Sequence, residues 1–119
     1  MARDFTKIRA WQLADDLTYD VYQCTRNYPR EELYGLTSQL RRAASSCAAN
    51  IAEGSNRSSK KDYLHFLSIA AWSLAETRYF LHLSQRLGYL VAAEYKKLMN
   101  QAESASKALA GLANAVQQE

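Results

Sequence analysis

Residues 91–116 read VAAEYKKLMNQAESASKALAGLANAV. The apolar positions Val91, Tyr95, Leu98, Ala102, Ala105, Leu109, Leu112 and Val116 alternate steps of four and three. Steps averaging about 3.5 residues put all eight on one stripe of an α-helix, the seam of a helix packed lengthwise against others. The spacing predicts a helix over about 91–117.

The same period runs back through the chain. A first helix is predicted over about 6–27, with the seam Ala10, Ala14, Leu17, Val21, Cys24 and Tyr28, widened near its start by Ile8, Trp11 and Leu13. Asn27-Tyr28-Pro29 stops it. A second helix follows Pro29, with Glu31 and Glu32 where the helix dipole favours anions and Gly35 able to delay or kink it. Its seam is Leu33, Leu36, Leu40, Ala44, Cys47 and Ile51, and Gly54 ends it. A third helix opens at Ser59, with Asp62 three residues on as a capping partner. Its apolar face is broad: Tyr63, Phe66, Leu67, Ile69, Ala70, Leu74, Phe80, Leu81, Leu83 and Leu87. Gly88 ends it. Short connections between long helices favour antiparallel neighbours, so the expected fold is all-α, an up-down-up-down four-helix bundle. The wide face of helix three calls for a second buried surface, most simply another copy of the chain.

The composition agrees with this architecture. The chain has 119 residues, 48% of them apolar, with four Gly and one Pro. That is room for one domain, residues 1–119, burying roughly 65% of its unfolded surface. So few Gly and Pro leave too few turns for a β-sandwich or barrel. No apolar run approaches the roughly 18 residues of a membrane span. The N-terminus lacks the apolar core of a secretion signal, so a cytoplasmic location is expected, with Cys24 and Cys47 as reduced core thiols.

Enzyme chemistry is not expected. A di-iron bundle needs Glu-x-x-His pairs on facing helices. The residues three after Glu31, Glu32, Glu53, Glu76 and Glu94 are Tyr34, Gly35, Asn56, Tyr79 and Lys97. His65 and His82 lie on one helix, about 25 Å apart by helical rise, and cannot share a metal. No P-loop, Rossmann glycine pattern, zinc-ligand set or nucleophile elbow occurs, so neither metal nor cofactor is expected.

Two polar features remain. Helix two carries a second stripe, Gln39, Ser46, Asn50 and Glu53, interrupted at Ala43, and helix three places Ser73 and Glu76 in an otherwise apolar row. Buried polar groups must pair or cost a few kcal/mol each, so these six are expected to form a structural network between helices two and three. A ligand site built on Glu53 and Glu76 is the competing reading. The second feature is charge. Residues 41–61 hold Arg41, Arg42, Arg57, Lys60 and Lys61 against Glu53 alone, in a chain whose net charge is +3. These five are candidates for nucleic-acid phosphates, with a solvated basic rim as the plainer alternative. No motif for sequence-specific readout accompanies them.

The string Tyr34-Gly35-Leu36-Thr37-Ser38-Gln39-Leu40-Arg41-Arg42-Ala43-Ala44, continued by Ser45-Ser46-Cys47-Ala48-Ala49-Asn50-Ile51-Ala52-Glu53-Gly54, closely resembles the signature of a bacterial four-helix-bundle family. Its members are named for proteins encoded in intervening sequences of 23S ribosomal RNA genes. Arg57 to Tyr63, Phe66 to Ala70, Ser73 and Glu76 extend the resemblance, as do Trp11 and Tyr28-Pro29, while Cys47 stands where an aliphatic residue is usual. The resemblance implies a homopentamer around a central channel and carries over no catalytic residue. A related branch, the accessory protein of diversity-generating retroelements, implies nucleic acid and a reverse transcriptase as partners. The expected function is therefore a non-enzymatic oligomeric scaffold that binds RNA, DNA or a nucleic-acid-handling protein through a basic surface. The alternative is a protein-interaction adaptor without nucleic-acid affinity.

Overall fold

A computed structural model describes residues 3–119. A single 3-10 turn, Phe5–Lys7, leads into α1, Arg9–Thr25, and a second, Arg30–Glu32, precedes α2, Leu36–Ser55. Two longer helices follow, α3, Lys60–Arg86, and α4, Ala92–Gln118. There is no strand among the described residues. Each helix packs on its neighbour in sequence, and α4 closes the ring on α1. Side chains of α2 and α3 meet in antiparallel order: Arg42 with Glu76, Ser46 with Ser73, and Gly54 with Tyr63. The result is an elongated body of 45 × 25 × 19 Å.

The predicted seams form the core. Ala10, Ala14, Leu17, Val21, Cys24 and Tyr28 are buried, as are Leu36, Leu40, Ala44, Cys47 and Ile51 on α2. On α4, Leu98, Ala102, Ala105, Leu109 and Val116 are buried. Burial pushes the thiols of Cys24 and Cys47 up from 9.0 to about 12, so both stay protonated and inert at neutral pH.

Two seam positions differ from expectation. Leu33 and Val91 are exposed. Both helices start later than the apolar period implies. Leu33 lies in the turn before Gly35, which is the N-cap of α2, and Val91 is itself the N-cap of α4. Glu32 supplies the missing cap by accepting from the Leu36 N–H at 3.1 Å, and it also accepts from the Tyr89 hydroxyl at 2.9 Å, tying the start of α2 to the α3–α4 turn. At the start of α3 the Ser59 hydroxyl accepts from the Asp62 N–H at 3.1 Å.

Two glycines have distinct jobs. Gly88 turns the chain after α3 with φ +80°, the left-handed region that glycine enters without penalty. Gly54 lets α2 approach α3: a Cβ there would come within 2.9 Å of the Phe66 Cβ and 3.0 Å of the Tyr63 Cδ1.

Candidate nucleic-acid interface

The polar residues of α2 and α3 meet along the outer edge of the seam between the two helices, in three groups. Arg42 Nη2 donates to Glu76 Oε2 at 2.7 Å, and its Nε and Nη2 donate to Gln39 Oε1 at 3.2 and 3.1 Å. One turn further, the hydroxyls of Ser46 and Ser73 lie 2.9 Å apart. Asn50 Nδ2 donates to Ser46 Oγ at 3.1 Å and to the Ser46 carbonyl at 2.8 Å. At the far end of α2, Glu53 pairs with Arg57 at 3.5 Å. Only Ser73 is buried; Gln39, Arg42 and Glu53 are exposed. Glu53 and Glu76 do not converge. Glu76 faces Arg42, eleven residues or about 16 Å of helix from Glu53, so the two carboxylates belong to separate groups.

The five cations also divide. Arg57 lies on the turn from α2 to α3 and Lys60 and Lys61 open α3, and every residue from 56 to 61 is exposed. The Arg57 guanidinium sits 4.6 Å over the Phe66 ring. Lys60 Nζ donates to the Gln117 carbonyl at 3.2 Å. Neither Lys60 nor Lys61 pairs with a carboxylate of the described residues. Arg41 and Arg42 are near the other end of α2. Arg41 is turned toward α1, donating to Thr25 Oγ1 at 2.8 Å and lying 4.7 Å over the Tyr22 ring.

A cleft of about 380 Å³ opens beside the α2–α3 turn between Arg3, Arg57, Ser59, Lys60, Tyr63 and Glu119. Arg3 crosses the Tyr63 ring at 4.7 Å and pairs with Glu119. The Tyr63 hydroxyl is buried without a partner, and burial raises its pKa. Neither Arg3 nor Glu119 stands out in the sequence. The topology could have found them, because four antiparallel helices bring the start of α1 and the end of α4 to the α2–α3 turn.

No metal centre is formed: no three His, Cys, Asp or Glu side chains gather among the described residues. No helix of the described residues is long and apolar enough to cross a membrane.

Comparison with known proteins places this geometry. The sequence profile of a family described as 23S rRNA-intervening sequence protein matches residues 6–111. Among solved structures, the chain is similar to a protein of unknown function from the S23 ribosomal protein family of Bacteroides thetaiotaomicron. The TM-score is 0.78 at 23% identity, over 87% of this chain and 97% of that one. At that identity the likeness speaks for the fold. No curated protein matches the chain.

Proposed function

The chain belongs to the 23S rRNA-intervening sequence protein family, and we propose that it acts there as a non-enzymatic oligomeric scaffold that holds RNA or DNA, or a protein that handles them, on a basic surface. The observation that carries this reading is the α2–α3 turn. Six successive exposed residues present Arg57, Lys60 and Lys61, and neither lysine is neutralised by a carboxylate of the described chain. One such turn is a weak phosphate binder. A cyclic assembly repeats it around a ring, and many weak interactions then add through effective concentration.

Assembly is supported by the outer face of α3, where Trp72 is 66% and Tyr79 56% exposed. Large aromatics in one row on a 13.5 kDa chain suit burial against another copy, and a pentamer is the proposed closure.

Light scattering at micromolar concentration reads the assembly, with a pentameric mass expected. Binding of a labelled structured RNA reads the function. Replacing Arg57, Lys60 and Lys61 together by Ala should leave the mass unchanged and weaken RNA binding at least tenfold at low salt. The salt slope should fall by about one for each phosphate that is no longer neutralised. Unchanged affinity in the triple variant would remove the turn from the interface. A protein that binds no nucleic acid at all is the adaptor alternative.

A further inference from the structure

We propose that the cleft between the end of α1 and the start of α2 is a stacking site for an unpaired nucleobase, so that the nucleic acid bound is single-stranded there. This rests on the nucleic-acid reading above and names the strand form. The cleft, about 400 Å³, is lined by Tyr22, Leu33, Tyr34, Ser38, Arg41 and Arg42, with two arginines and no carboxylate among its lining residues. Arg42 is already answered by Glu76 at 2.7 Å, so Arg41 is the cation left to the cleft.

Three properties suit a base and its phosphate. Tyr34 is 93% exposed, an aromatic face at the mouth of the cleft and packed on nothing in its own chain. Tyr22, also exposed, already carries a planar cation on its ring, the Arg41 guanidinium at 4.7 Å. Arg41 is held by neutral acceptors, Thr25 Oγ1 at 2.8 Å and the Tyr22 carbonyl at 3.4 Å, and no carboxylate of the described residues pairs with it. Its position is fixed while its charge is left for an anion. Aromatic rings beside a fixed arginine are the elements of sequence-tolerant single-strand binding, in which bases stack and phosphates meet the cation. A duplex keeps its bases stacked on one another and offers this cleft only backbone. The cleft is about 24 Å of helical rise from Arg57, so a strand engaging both runs along α2.

The test compares two labelled RNAs, a single-stranded oligouridine and a duplex of the same length, binding to the assembled full-length protein and to two variants. Tyr34→Ala should weaken oligouridine binding about tenfold and leave duplex binding unchanged. Tyr34→Trp should restore or tighten the single-strand affinity. Because Tyr34 is exposed and outside the core, neither variant threatens folding, and the light-scattering mass should not move. Undiminished oligouridine binding by Tyr34→Ala, or an equal loss on both RNAs, overturns the stacking site while leaving the basic scaffold standing. A changed mass also overturns it, assigning the cleft to a second copy of the chain. Failure of the unaltered protein to bind either RNA overturns both proposals.

Discussion

The inward and outward faces of α2 and α3 follow different rules. Inward, Leu40, Ile51, Leu67, Leu74 and Leu81 are buried to 2% exposure or less, with small residues such as Ala43 and Ala70 letting the helices close together. Outward, the same two helices carry Arg42, Glu76, Trp72 and Tyr79, exposed or half-exposed. Water decides the first face within one chain, because each buried methylene is worth about 0.8 kcal/mol. The second face stays in water in a single chain, and the proposed assembly and nucleic-acid binding are what would cover it. Fold is thus a property of the inward period, and the proposed function rests on the outward exceptions to it.

The contrast can be broken most severely at high pH. Cys47 has its thiol raised from 9.0 to about 12 by burial, and Cys24 likewise, while the Tyr28 phenol is raised further. Below pH 9 these groups are neutral in the folded and unfolded chain alike. Above it the unfolded chain releases its thiol protons first, so stability falls as pH rises from 9 toward 12. Cys47 alone accounts for roughly 4 kcal/mol at the upper limit. Urea unfolding across that range should show the decline, and Cys47→Val should make it shallower, with Cys24 supplying what remains; a pH-independent midpoint would mean the thiols are not sealed inside.

Truncating an inward side chain comes next. Ile51 is fully buried, and Ile51→Ala should cost about 2–5 kcal/mol in urea unfolding, from lost transfer energy plus the cavity. A cost under about 1 kcal/mol would contradict the tight inner seam.

A pair of glycines sharpens the comparison. Gly54→Ala forces a methyl to within 3.0 Å of Phe66 and Tyr63, and overpacking of this kind costs about 1–3 kcal/mol. Gly111 is exposed in α4 with nothing within 4 Å of its added Cβ, so Gly111→Ala should raise stability by about 0.5–1 kcal/mol. Equal shifts in melting temperature at the two sites would erase the distinction between faces.

The smallest effect is expected at the outward ion pair. Arg42 and Glu76 are 51% and 42% exposed, and an exposed pair is worth about 0–1 kcal/mol. In diluted single subunits Glu76→Ala should scarcely move the melting temperature. A loss beyond about 2 kcal/mol in the assembled protein, together with a fall in mass, would show that assembly buries the pair and leaves Arg42 uncompensated.

The inward face was largely legible in the sequence, because a 4-3 spacing has few physical interpretations. Its gaps have a common cause. Thr25, Ser55, Thr77 and Ser84 are buried but absent from every seam; each hydroxyl donates to a carbonyl three or four residues back and so enters the core with its proton satisfied within its own helix: Thr77 to Ser73 at 2.8 Å, Ser84 to Phe80 at 2.7 Å. A pattern of apolar letters does not register them. Leu33 and Val91 mislead in the other direction, because the period continues past the point where the cap ends the helix. The candidate interface was legible only as a charge bias. That Arg41 turns to α1 while Arg42 turns to α3 depends on which neighbour each helical face meets, and adjacent arginines in a string of letters look alike.

The most direct measurement of the proposed nucleic-acid role is the affinity of the unaltered protein for a labelled structured RNA between 50 and 200 mM salt. Each neutralised phosphate releases counterions, so a basic turn repeated around a ring should give a straight log–log plot with a slope of about −3 or steeper. No binding at 50 mM salt, or an affinity that salt does not change, would contradict the account.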